Sequence, residues 1–178
     1  MESIKLALVD DDYLIVTLLK SFFNQNHSTK VVYDTTDGYE LFNFLEKNQS
    51  DVVDILLLDL KMKTIDGLEV LKNVKTTNPD LKVIVISSHY QDSSIGFMTK
   101  EGVAGFLPKG MSPFELLEII KHVHKNGFYL NKDQMEILRE QISSKVSKPL
   151  IGSDDLLTER ENEIIKLKEV QSCFHVSG

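Results

Sequence analysis

The chain has 178 residues, 42% of them hydrophobic, 26% charged and 8% aromatic, which excludes disordered, collagen-like and repeat architectures and allows one domain of about 120 to 150 residues with an appendage. Its single cysteine, Cys173, excludes a disulfide-stapled miniprotein. A formal net charge of −7 argues against nucleic-acid binding by general electrostatics, so any DNA contact needs a local patch.

The first ten residues run from a short apolar stretch into acids, which is not a signal-peptide pattern. No segment approaches the roughly 18 apolar residues of a membrane span. A soluble, cytoplasmic protein with no membrane partner is therefore expected. Ile4 to Val9 reads as a strand ending at Asp10-Asp11-Asp12. Leu14, Ile15, Leu18, Leu19, Phe22 and Phe23, three and four apart, predict a helix with one buried face. Val31-Val32-Tyr33 is a second strand, and Asp37 with Glu40 three residues on has the form of a capping box before a helix carrying Leu41, Phe44 and Leu45. Val52 to Leu58 is apolar enough for a central parallel strand and ends in Asp59. Gly67 opens a helix that stops at Asn78-Pro79, and Leu81 to Ile86 is a fourth strand ending at Ser87-Ser88. Between Gln91 and Glu101, Ser93, Ser94 and Gly96 lower helix propensity, so the fourth helix should be short or mobile. Gly102 to Leu107 is a fifth strand, and Ser112-Pro113 starts a strong helix bearing Leu116, Leu117, Ile120 and Val123. Lys132 to Ser144 is a further helix, and Ser147 to Asp155 reads as a linker.

Alternating strands and helices predict an α/β, doubly wound, five-stranded parallel sheet over residues 1–125 with a helical C-terminal extension. In such sheets ligands bind at the C-terminal ends of the strands. Asp10, Asp11, Asp59, Ser87 and Lys109 all fall there. Three converging carboxylates repel one another unless a cation neutralises them, and a hard divalent ion such as Mg2+ suits oxygen donors. A lysine and a hydroxyl facing the acids suit a phosphoryl group. Taken singly, Asp10 to Asp12 would be an ordinary turn and helix cap, and Ser87 or Lys109 would mean little. The weight lies in five strand-end positions agreeing together.

On those residues the sequence resembles the response regulator receiver domain of two-component signalling, flavodoxin-like with strand order 2-1-3-4-5. The family's acidic pair falls on Asp10 and Asp11, its phosphoacceptor on Asp59, its hydroxyl residue on Ser87 and its lysine on Lys109. Asp66-Gly67 also fits, and Phe106 falls on the aromatic switch position. The resemblance implies that Asp59 takes a phosphoryl group from a histidine kinase. It implies Mg2+ held by Asp11, Asp59 and the Lys61 carbonyl and oriented by Asp10 through water, with Lys109 binding a phosphoryl oxygen. The domain would then be an autocatalytic, self-dephosphorylating switch rather than a turnover enzyme. Phosphorylation is expected to drive homodimerisation through the region of the fourth helix, fifth strand and fifth helix. Departures from the family are Lys63 in place of a proline after the phosphoacceptor, Gly110 in place of a proline after Lys109, which puts the usual cis peptide there in doubt, and a new Pro108 that an edge strand tolerates. Lys61 and His89 are expected to line the phosphate entrance.

Gly127-Phe128-Tyr129-Leu130 and the segment Leu157 to Leu167, with a capping box from Thr158 to Glu161, resemble a LuxR-type transcriptional regulator entering its helix-turn-helix domain. The implied organisation is a receiver at 1–125, a helical linker at 126–156 and an incomplete start of the output domain at 157–178. A recognition helix is not expected within the chain, so specific DNA binding is expected only of an intact output domain. Two other readings compete: a stand-alone receiver working through protein–protein contacts, and a Mg2+-dependent phosphohydrolase with an aspartate nucleophile. The second is disfavoured because such enzymes commonly carry the nucleophile after the first strand.

Overall fold

The fold rests on a five-stranded parallel sheet in a computed structural model that describes residues 3–47 and 53–143. Val52, Ser144, Cys173, the linker at 147–155 and the segment 157–178 lie outside the described residues. The elements are β1 (Ile4–Val9), α1 (Tyr13–Gln25), β2 (Thr29–Thr35), α2 (Gly38–Lys47), β3 (Ile55–Asp59), α3 (Gly67–Thr77), β4 (Lys82–Ser87), α4 (Ile95–Lys100), β5 (Gly105–Pro108), α5 (Pro113–Asn126) and α6 (Lys132–Ser143). Strand order is β2-β1-β3-β4-β5, as expected, and every pairing is parallel. The fourth helix is indeed short, six residues after a 3-10 turn at Asp92–Ser94. No described helix is long and apolar enough to cross a membrane.

Every residue of β3 is buried, because helices cover both faces of a doubly wound sheet and leave its central strand no polar side. One face packs Leu6, Leu8, Ile55, Leu57 and Ile84 against Phe23 of α1 and Leu116, Ile120 and Val123 of α5. The other packs Ala7, Leu56, Leu58, Val83 and Val85 against α2, α3 and α4 through Leu41, Val70, Leu71, Val74, Ile95 and Met98. The compact unit runs to Ile142, so it takes in nearly all of α6.

Two local expectations need correction. On α1 the buried residues are Val16 and Phe23, with Leu19 and Phe22 partly covered, while Leu14 and Leu18 are 64% and 59% exposed. At 3.6 residues per turn, positions two before and two after Val16 lie on the far side of the helix. The spacing rule gathered too wide an arc. On α2, Asp37 does cap the first turn, its carboxylate accepting from Tyr39 N–H at 3.0 Å, but Glu40 does not return to the Asp37 N–H. That N–H donates to the Thr35 hydroxyl at 3.1 Å, and the hydroxyl donates to Glu40. A side chain from the end of β2 relays the box.

Candidate phosphoacceptor site

Parallel pairing puts the C-terminal ends of β1, β3, β4 and β5 on one edge of the sheet, with Asp59 opposite Ile86 and Ser87 opposite Pro108. Asp10, Asp11, Asp59, Ser87 and Lys109 therefore meet at that edge. β1 and β3 flank the point where the strand order reverses, which is where doubly wound sheets open a crevice.

Carboxylate oxygens of Asp10, Asp11 and Asp59 all lie within 4.8 Å of one another. The Lys109 ammonium sits between two of them, 2.9 Å from Asp59 Oδ2 and 3.0 Å from the Asp10 carboxylate. Asp10 Oδ1 also accepts the Asp12 N–H at 2.9 Å. Asp59 Oδ1 is buried and has no hydrogen-bond partner among the described residues. An acceptor left unpaired in the interior is costly, so this oxygen is the point in the site open to another group. Lys63, 87% exposed at its side chain, reaches Asp11 at 3.6 Å across the crevice.

Burial pushes the Asp10 carboxyl above its ordinary value, and the Asp12 N–H and Lys109 only partly offset it, while the Asp59 charge adds to it. For Lys109, burial alone would lower the pKa. The hydrogen bonds it donates to Asp59 and Asp10, together with their charges, outweigh it, and the ammonium is held above its ordinary value. The site keeps its lysine charged and crowds its acids, which favours a further cation among them.

The acidic triplet after β1 divides its work. Asp10 and Asp11 face the site, whereas Asp12 is the N-cap of α1, accepting from Leu14 N–H at 2.9 Å. The ordinary cap reading thus applies to one residue of the three. Asp66 caps α3 through Leu68 N–H at 3.0 Å, and Gly67 follows because a Cβ there would run into the backbone of Asp59 and Leu60. That close approach, with Gly67 N–H on Leu60 O at 2.9 Å, fixes the loop carrying Lys61, which bridges to Asp66. A cavity of about 510 Å³ opens at the Ser87 end of β4, lined by Lys61, Lys63, Ser87, His89, Met98 and Phe106 among others. Pro108 closes β5 at the sheet edge, and the described residues contain no cis peptide bond.

Ser87 is buried, and its hydroxyl accepts from His89 N–H at 3.1 Å. Phe106 is 3% exposed and stacks on Tyr90, ring centroids 4.8 Å apart and planes 26° from parallel. Two residues here escaped sequence reasoning. Tyr90 is one, and the other is Gln134 of α6, whose amide donates to Phe106 O at 2.7 Å and to the Tyr90 hydroxyl at 3.0 Å. The available signal was Gln134 standing on the same helical stripe as Ile137, Leu138 and Gln141.

Residues 6–121 match the family model of the response regulator receiver domain, so the chain belongs to that family and is a two-component response regulator. Among curated relatives it is 29% identical to the transcriptional regulatory protein DegU of Brevibacillus brevis, over 92% of this chain and 74% of the relative. It is 27% identical to the response regulator UvrY of Escherichia coli K12, over 98% and 81%. Among solved structures, a LuxR-family response regulator from Aurantimonas superposes with a TM-score of 0.68 at 17% identity, over 80% of this chain and 99% of that one. The RcsB–DNA complex gives 0.67 at 19% identity, over 96% and 78%. At these identities the structures speak for the fold.

Proposed function

We propose that Asp59 accepts a phosphoryl group from the phosphohistidine of a histidine kinase and that the chain thereby switches a transcriptional output. The observation that carries this reading is Asp59 Oδ1, buried and unpartnered at the crevice while Lys109 holds Oδ2. Oδ1 forms the bond to phosphorus as the P–N bond breaks, and the electron pair returns to the imidazole nitrogen. Lys109 supplies N–H groups to a phosphoryl oxygen, and the Ser87 hydroxyl donates to another. Asp10, Asp11, Asp59 and the Lys61 carbonyl form an all-oxygen donor set that fits Mg2+, which when bound offsets the charge of the acids and the incoming anion. Lys63 and His89 flank the opening through which the anion and, later, water arrive. Hydrolysis of the acyl phosphate resets the switch, so the cycle is self-dephosphorylation rather than turnover of a substrate.

In the same reading, residues 1–125 are the receiver, 126–156 a helical linker and 157–178 the opening of a LuxR-type helix-turn-helix output. The partners are a cytoplasmic histidine kinase domain, a second copy of the chain on phosphorylation, and DNA through a whole output domain. Intact-mass measurement after exposure to a small phosphodonor tests it. One phosphoryl group is expected with Mg2+, none with chelator, and none on Asp59→Asn. Lys109→Ala should still load, with weakened response. Undiminished labelling of Asp59→Asn would overturn the assignment.

A further inference from the structure

Gln134 is the only buried residue of α6 and is 1% exposed. Its carboxamide is fully used. Oε1 accepts the Asn131 N–H at 3.0 Å while Asn131 Oδ1 accepts the Gln134 N–H at 2.8 Å, a reciprocal box that starts the helix. Nε2 is thereby turned inward to Phe106 O and the Tyr90 hydroxyl. The rest of the inward stripe, Ile137, Leu138 and Gln141, is half-buried. Gln141 donates to Asp92 O at 3.3 Å, and Gly96 of α4 leaves room for its carboxamide, since a Cβ there would collide with Gln141 Oε1. So α6 lies against α4 and β5 through these polar contacts and the partly buried Ile137, with no fully buried apolar anchor of its own.

Those contacts lead back to the phosphoacceptor edge. Ser87 closes β4, its hydroxyl holds the His89 N–H, and the next residue is Tyr90, whose ring packs on Phe106 and whose hydroxyl meets Gln134. From Asp59 to α6 the path crosses the strand pair β3–β4 and then this single loop.

We propose that α6 is a latch on the phosphorylation switch: it is docked through Gln134 while Ser87 holds the His89 N–H, and it is released when a phosphoryl group on Asp59 recruits the Ser87 hydroxyl. The inference rests on the phosphoacceptor reading above. Drawing Ser87 away frees the 88–90 loop and carries off the Tyr90 hydroxyl, one of the two acceptors of the Gln134 amide. A buried amide left half-satisfied disfavours docking, and only partly buried apolar side chains of α6, Ile137 among them, are left to oppose release. Release uncovers Tyr90, Phe106 and α4. By linkage, whatever factor phosphoryl binding takes from docking, undocking returns to phosphoryl binding.

Amide hydrogen exchange on the full 178-residue chain, with and without Mg2+ and beryllofluoride as phosphoryl mimic, tests the latch. In the unaltered chain, peptides within 132–142 should exchange about tenfold faster on loading, while peptides around Asp59 become protected. Gln134→Ala should speed α6 exchange without the mimic and tighten mimic binding by a similar factor. Gln134→Glu, which keeps the side-chain length but brings no donor, should do the same. Should Gln134→Ala loosen the whole receiver, Tyr90→Phe, which keeps the ring on Phe106 and loses only the acceptor, should still shift both quantities in the same direction. Unchanged α6 exchange with protection around Asp59 would overturn the latch alone, as would faster α6 exchange in Gln134→Ala with unchanged mimic affinity. Absence of protection around Asp59 would overturn the phosphoacceptor reading, and the latch with it.

Discussion

α5 and α6 are neighbours in sequence and similar in length, yet they are held by different forces. α5 starts on the Ser112 cap with Pro113 in its first turn, ends at Gly127 with φ of 90°, and buries Leu116, Leu117, Ile119, Ile120 and Val123. α6 buries a glutamine. Apolar burial stabilises without regard to direction and is lost only when the sheet is lost. Hydrogen bonds from one carboxamide need two acceptors in place at once, and one of them belongs to a tyrosine beside Ser87. The difference teaches that α5 is part of the sheet's core, whereas α6 reads the loop it leans on.

The sharpest way to break that comparison is to truncate an equivalent side chain on each helix. Ile120→Ala, at a fully buried position, should lower unfolding free energy by about 3 kcal/mol in urea titration. Ile137→Ala, on the half-buried stripe of α6, should cost under about 1 kcal/mol. Equal losses would mean that α6 is core after all. Next in size, Gln134→Ala should leave the urea midpoint nearly unchanged while α6 amides exchange about tenfold faster, since the freed Phe106 carbonyl and Tyr90 hydroxyl can turn to water once the helix lifts. A large midpoint shift would make Gln134 a core residue rather than a latch. Tyr90→Phe keeps the stacked pair and removes one acceptor, so a roughly threefold rise in α6 exchange is expected by the same measure. Smallest of all is Gly96→Ala. The added methyl displaces only the tip of Gln141, and alanine favours helix in α4, so α6 exchange should rise by about twofold or less.

The same contrast marks how far the sequence could be read. Strands announce themselves by apolar runs that stop at an acid or a serine, and in a parallel sheet all such stops share one edge. Asp10, Asp59 and Ser87 can therefore be grouped from the sequence. Helix faces were harder. Leu14 and Leu18 satisfy a spacing rule that knows nothing of which arc the sheet will cover, and Asp12 looks like its two neighbours until the start of α1 fixes which carboxylate turns back to cap. Gln134 was hardest to see, because a glutamine in a polar helix is an ordinary surface residue unless a carbonyl and a tyrosine hydroxyl come from distant segments to meet it. Lys63 was legible only as a departure from the family, and its reach to Asp11 needed the fold of the 60–66 loop.

The phosphorylation switch depends most directly on the identity of the acceptor oxygen. An aspartyl phosphate is an acyl phosphate, which borohydride reduces to homoserine, whereas phosphoserine and phosphohistidine do not give that product. The phosphodonor-treated chain, reduced with borohydride and sequenced by tandem mass spectrometry, should carry homoserine at position 59 and at no other aspartate. Homoserine at Asp10 or Asp11, or a borohydride-resistant phosphoryl group on Ser87, would contradict it.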